Sequence, residues 1–157
     1  MKNQIVQNIV DKLILSNSTI SFAESCTGGR IASAFTSISG VSSVFNGSCV
    51  TYSNEIKHNW LGVSNEILNN YGAVSDECVT LMLKGIKKMA DSDYAIAVSG
   101  IAGPTGGTEY KPVGTVYIGV LTPKDIFVTK YLFLGDRDEV QQQATNIAIE
   151  ILSKKIL

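Results

Sequence analysis

Tyr94-Ala95-Ile96-Ala97-Val98 is a run of small and apolar residues with almost no polar alternation, the composition of a β-strand covered on both faces. Such a strand needs a helical layer on each side. It runs into the glycine-rich stretch Ser99-Gly100-Ile101-Ala102-Gly103-Pro104-Thr105-Gly106-Gly107. A second short segment, Thr19-Ile20-Ser21-Phe22-Ala23, runs in the same way into Ser25-Cys26-Thr27-Gly28-Gly29. Two strands that each deliver a glycine-bearing turn place candidate site loops at the carboxyl end of a sheet, where ligands gather in open α/β folds.

Helical periodicity surrounds these runs. Ile5, Val6, Ile9, Val10 and Leu13 recur at helical spacing, and a helix is predicted from about Gly28 to Ser37. A strand from Val44 to Tyr52 precedes a short helix through Trp60, which Ser53 or Asn54 can cap and which holds Lys57 in its first turn. Ser75 caps a longer helix on which Cys78, Val79, Met82, Leu83, Ile86 and Met89 share one face. Val113 to Leu121 and Ile126 to Phe133, joined by Thr122-Pro123-Lys124-Asp125, suit an antiparallel hairpin. The last helix begins at Asp136 and carries Val140, Ala144, Ile147, Ile151 and Leu152 on one face. The fold class is therefore α/β, a three-layer α/β/α sandwich with a mixed, mostly parallel sheet.

Composition narrows the function. The 157 residues, 45% hydrophobic, make one domain spanning residues 1–157, with a core large enough to stand without staples. A net charge of −1 leaves no footprint for a phosphate backbone, so nucleic acid is not an expected partner. Cys26, Cys49 and Cys78 form neither a disulfide framework nor a zinc pattern, so no metal and no cofactor are expected, and Cys49 and Cys78 are assigned to the core. The N-terminal segment, broken by Asp11 and Lys12, is neither a secretory signal nor a membrane span. A reduced, cytoplasmic protein is expected.

The turn after the first strand offers Ser25, Cys26 and Thr27 as nucleophiles. Unpaired N–H groups of a following helix would favour negative charge there, and equally Ser25 or Thr27 would serve as a helix cap. A serine nucleophile needs a base. His58, the single histidine, stands one residue beyond Lys57 and so about 100° around the helix from it, leaving only one of them to face Ser25 well. Lys57 is the better base, because burial beside an apolar wall disfavours its charged form. Cys26 is a reactive thiol if its thiolate is stabilised and a small buried hydrophobe if it is not. Residues 100–107 match neither the Walker nor the Rossmann spacing. Arg137, at the start of the last helix, either meets a phosphate or carboxylate or stands as an exposed charge.

Five segments taken together, Ala23-Glu24-Ser25-Cys26-Thr27-Gly28-Gly29, Thr51-Tyr52-Ser53-Asn54-Glu55-Ile56-Lys57, Tyr71-Gly72-Ala73-Val74-Ser75, Ser99-Gly100-Ile101-Ala102-Gly103-Pro104 and Lys111-Pro112-Val113-Gly114-Thr115-Val116, closely resemble the CinA C-terminal-domain family. The resemblance covers about residues 5 to 155. It implies an α/β/α domain similar to anticodon-binding domains, a homodimer, and hydrolysis of nicotinamide mononucleotide to nicotinate mononucleotide and ammonia. Ser25 matches the family's nucleophile, Lys57 its base and Tyr52 a polar neighbour. Cys26, Thr27, Gly28 and Gly29 fall on the substrate-binding turn, and Thr105, Gly106, Gly107 and Arg137 are the expected donors to the ribose phosphate. Relatives carry Gly or Asp where this chain has Thr105, which favours a backbone role at that position. The separate nucleotide chemistry of the longer members' N-terminal domain is not carried over. A non-catalytic nucleotide- or partner-binding module, and an amidase for another small amide, are the alternative functions.

Overall fold

A computed structural model describes residues 2–157. Helix α1 (Lys2–Leu15) is followed by β1 (Ile20–Glu24), α2 (Arg30–Thr36), a 3-10 turn at Val41–Ser43 and β2 (Phe45–Val50). Then come α3 (Asn54–Leu61), α4 (Asn65–Tyr71), α5 (Asp76–Ala90) and β3 (Tyr94–Gly100). A hairpin of β4 (Thr115–Leu121) and β5 (Ile126–Leu132) and the long α6 (Arg137–Ile156) complete the chain.

The five strands form one sheet in the order β2-β1-β3-β4-β5. β1 pairs in parallel with both β2 and β3, while β4 is antiparallel to β3 and to β5, so four of the five strands point the same way. Alternate residues of each strand project to opposite faces, and this splits the core in two. On one face Ile20, Phe22, Ile96, Val98, Val116, Ile118 and Val120 pack against α1, α2 and α6. On the other, Ala23, Ala95, Ala97 and Leu121 pack against α3, α4 and α5. The expected three layers are present. Small residues on the second face let α5 lie close to β3, β4 and β1.

Several boundaries depart from expectation. The helix predicted from Gly28 begins at Arg30, because Gly28 and Gly29 adopt φ of +59° and +97°, left-handed conformations that turn the chain before it can coil. The strand predicted over 44–52 is confined to Phe45–Val50, where pairing with β1 ends at Glu24. Helix α4, capped by Ser64, was not foreseen; its Asn-rich sequence carries little apolar periodicity and buries only Leu68. On α6 the deeply buried stripe is Val140, Ala144, Ala148, Ile149 and Leu152, whereas Ile147 and Ile151 border it, only partly buried. Cys78 is buried as expected, but Cys49 is only half-buried.

Helix α3 bears Lys57, and its position is set where its C-terminal end crosses α5. A methyl group on Gly85 would overlap the Leu61 carbonyl, so the crossing tolerates no side chain there. Replacing a helical glycine by alanine ordinarily gains about 1 kcal/mol. Here Gly85→Ala is expected to destabilise by about 1–3 kcal/mol, the cost typical of overpacking. At about 2–4 °C per kcal/mol, a thermal melt should show the midpoint falling by several degrees.

Candidate active site

The three parallel strands end at the same edge of the sheet, and each sends its following residues into one cleft of about 230 Å³. β1 contributes Ser25 and Cys26, the segment after β2 contributes Tyr52, Asn54 and Lys57, and β3 with its glycine-rich loop contributes Ser99 to Gly103, Thr105 and Gly106. Ala73 and Val74 close one wall, and Arg137 reaches in from the start of α6.

The pleat of β1 decides what each residue of the turn faces. Glu24 continues the alternation of Ile20 and Phe22 toward α2, and its carboxylate, fully buried, accepts hydrogen bonds from Thr27 Oγ1 at 2.7 Å, Ile31 N at 3.0 Å and Ala32 N at 3.0 Å. Ser25 continues the alternation of Ser21 and Ala23 toward α3, where Lys57 Nζ lies 3.2 Å from its Oγ. The two residues thus serve opposite sides of the sheet. Arg30 N donates to Thr27 O, so the first three N–H groups of α2 are all occupied within the protein. The expectation that this helix terminus stabilises an anion in the site is therefore corrected: Glu24 already holds it. Thr27 does not cap α2 either, since the N-cap is Gly29, without a side-chain cap.

Lys57 is 1% exposed and Ser25 8%. Besides Ser25, Lys57 Nζ meets two main-chain carbonyls, Thr51 O at 2.9 Å and Tyr52 O at 3.3 Å. Among the described residues the single ion pair is Arg30–Asp138, so Lys57 has no carboxylate partner. Burial pulls its pKa below the ordinary 10.5, opposed by the nearby thiols of Cys78 and Cys26. That opposition needs thiolates, and burial pushes Cys26 up to about 12 and Cys78 to about 11. At neutral pH both are thiols and the lowering of Lys57 goes unopposed. Three oxygens surround Nζ, so an ammonium can donate to all of them, and a neutral amine can donate to the two carbonyls and accept from the serine hydroxyl.

His58 turns away. Its Nδ1 lies 2.8 Å from Val63 O at the far end of α3. Cys26 lines the cleft but, held as a thiol, is a poor nucleophile. Its carbonyl accepts from Gln141 Nε2 at 2.7 Å, which ties the turn to α6.

Arg137 spans the mouth of the cleft. One nitrogen donates to Gly103 O at 2.7 Å and the other to Tyr52 Oη at 2.7 Å, so it joins the glycine-rich loop to the segment after β2. Neither partner is an anion, and its charge remains uncompensated. Gly103 precedes Pro104 through a cis peptide.

Of the residues singled out from sequence, the cleft therefore gathers Ser25, Cys26, Tyr52, Lys57, Thr105, Gly106 and Arg137, while Thr27, Gly28, Gly29 and Gly107 lie outside its lining. Sequence reading missed Glu24, Gln141, Asn54 and Ser99. Strand alternation alone would have flagged two of them: Ser99 shares a face with Ala95 and Ala97, and Glu24 with Phe22. No group of three or more metal-ligating side chains occurs among the described residues, and none of their helices is long and apolar enough to cross a membrane.

The profile of the CinA C-terminal domain family matches residues 2–156. A CinA-like protein of Fervidobacterium nodosum is 52% identical over 149 residues, covering 95% of this chain and 36% of that protein. A putative competence-damage inducible protein of Clostridium beijerinckii is 49% identical over 153 residues, covering 97% of this chain and 37% of its own length. The chain thus spans little more than a third of these curated relatives. Among solved structures, a CinA superfamily protein from Klebsiella pneumoniae superposes with a TM-score of 0.94 at 35% identity, covering 99% of this chain and 98% of that one. Another from Enterobacter cloacae gives 0.96 at 30% identity, covering 100% and 93%. The chain belongs to the CinA C-terminal domain family.

Proposed function

We propose that this domain hydrolyses the carboxamide of nicotinamide mononucleotide, giving nicotinate mononucleotide and ammonia, by a serine–lysine mechanism. The observation that carries the reading is the 3.2 Å contact between Ser25 Oγ and a buried lysine without a carboxylate partner. The family resemblance supplies the substrate, and the uncompensated Arg137 at the cleft mouth suits its phosphate. Partner and compartment follow the same reading: a small nucleotide, a cytoplasmic enzyme and a homodimer.

In this mechanism neutral Lys57 takes the proton of Ser25 as Oγ attacks the amide carbon. The tetrahedral oxyanion is held by the N–H of Cys26, the residue after the nucleophile, which has no acceptor among the described residues. Protonated Lys57 then delivers the proton to the departing nitrogen and ammonia leaves. Lys57, neutral again, activates a water that cleaves the ester and frees the carboxylate. The carbonyls of Thr51 and Tyr52 keep the amine aimed at Ser25 through both halves.

Ammonia release from nicotinamide mononucleotide by the purified protein tests the substrate directly; no release between pH 7 and 9 removes it. Ser25→Ala should lower kcat by about 10³-fold or more, and Lys57→Met by about 10²–10⁴-fold, the range of a general base. Lys57→Arg is expected to be as inactive as Lys57→Met, because a guanidinium does not give up its proton.

The acid limb of kcat/KM follows the proton on Lys57 in the free enzyme. Activity should rise with pH as that proton is lost, with a midpoint below 10.5. A midpoint at or above the ordinary lysine value would remove the neutral amine from the mechanism.

Iodoacetamide at pH 8 should leave Cys26 and Cys78 unmodified in the folded protein and alkylate both after denaturation, as read by mass spectrometry. Their thiols are buried, and burial pushes Cys26 up to about 12 and Cys78 to about 11, well above that pH.

Arg137→Ala should raise KM for nicotinamide mononucleotide about 10- to 100-fold, the loss of one or two charged hydrogen bonds. Hydrolysis of nicotinamide riboside, which has no phosphate, should change far less.

A further inference from the structure

We propose that Glu24 is a positioning residue for Ser25: its buried carboxylate, gripping Thr27 Oγ1 and the first turn of α2, holds the Ser25 turn in its reactive form. The inference rests on Ser25 being the nucleophile, as argued above, and adds a residue on the far side of the sheet. Glu24 does not line the cleft, so direct acid or base work on the substrate is not open to it.

Three donors converge on this one carboxylate. Thr27 Oγ1 and Ile31 N meet Oε1, and Ala32 N meets Oε2. Only an acceptor at both oxygens satisfies the set; a glutamine would turn an N–H group toward the N–H of Ala32. The Thr27 bond matters most for Ser25. It closes the turn from 24 to 27, while Gly28 N donates to Ser25 O at 3.0 Å and Ser25 N to Val98 O at 3.0 Å. The main chain at Glu24 extends the control to the base. Thr51 N donates to Glu24 O at 2.9 Å, and Thr51 O in turn accepts from Lys57 Nζ. Both members of the 3.2 Å contact are thus referenced to one residue, Ser25 by the next peptide unit and Lys57 through Thr51.

The test compares Thr27→Val, Thr27→Ser and Glu24→Gln with the unsubstituted chain by three measurements: kcat and KM for nicotinamide mononucleotide, the thermal midpoint, and the rate of Ser25 sulfonylation by phenylmethylsulfonyl fluoride. In that last reaction Ser25 Oγ bonds to sulfur, the S–F bond breaks, fluoride leaves and Lys57 takes the serine proton, so it reports nucleophile geometry without the natural substrate. Thr27→Val should slow both kcat and sulfonylation about tenfold with KM within about twofold, and Glu24→Gln about 100-fold, as expected for small misplacements of a reacting atom. Thr27→Ser, which keeps the hydroxyl, should recover most of the loss.

A Thr27→Val protein with a lowered thermal midpoint but unchanged kcat and sulfonylation overturns the proposal, since the carboxylate would then be stabilising the fold alone. The proposal also falls if Thr27→Ser is as slow as Thr27→Val. Should Glu24→Gln fail to fold, the Thr27 pair still decides. Sulfonylation that depends on the Thr27 hydroxyl in a protein releasing no ammonia supports the positioning role and sinks the substrate. Ammonia release that ignores the Thr27 hydroxyl does the reverse.

Discussion

The pleat of β1 is the constraint on which this site depends. Successive residues of a strand cannot point the same way, so Glu24 and Ser25 enter different layers of the sandwich. One anchors α2 and the other meets α3. Because β1 lies inside the sheet with helices packed on both faces, both side chains are buried. A register slip of one residue would place the carboxylate against Lys57 and the hydroxyl against α2. The lysine would then gain a counter-charge and hold its proton. The chemistry of the cleft is thus tied to the same hydrogen-bond register that builds the sheet.

Placing a lysine in such a position is costly to the fold and useful to the site. Desolvation disfavours the ammonium form, and the structure supplies dipoles instead of a compensating charge, the carbonyls of Thr51 and Tyr52. A carboxylate there would favour the ammonium form and raise the lysine pKa again. The unfavourable burial is carried by the rest of the domain, with apolar clusters on both faces of the sheet. A buried lysine without a counter-charge is the kind of local exception expected where a fold carries a functional site.

Most of the architecture could be read from periodicity because each layer has its own signature. The unbroken apolar run at Tyr94–Val98 demanded helices on two sides, and the Ser53 and Ser75 caps marked the starts of α3 and α5 where the structure has them. The left-handed pair Gly28–Gly29 was legible as glycine but not as the last step of a turn, so α2 was begun too early. Helix α4 left no apolar stripe to find. The strand order was not readable at all, since it depends on which faces helices cover and not on local composition. At the site, Ser25 and Lys57 were found through their motifs, and the structure brings them to 3.2 Å. Glu24 and Gln141 were missed because each acts through main-chain or hydroxyl groups of the turn, and a single sequence shows donors and acceptors without showing who meets whom.

The cleft also separates its two cations by kind. Lysine loses its proton when water is removed, whereas arginine keeps its charge in almost any protein environment. Lys57 occupies the dry floor and Arg137 the mouth, where its partners are a carbonyl and a phenol. Exchanging the two would leave a permanent charge buried without an anion and a fully protonated amine in solvent, with no base anywhere in the cleft. For the reaction proposed above, their order from floor to mouth matches a ligand with its neutral, reacting end inward and its anionic end outward. In that proposed mechanism a ligand entering charge-first would bring its anion to Lys57 and raise the lysine pKa, so the same arrangement would select orientation as well as charge.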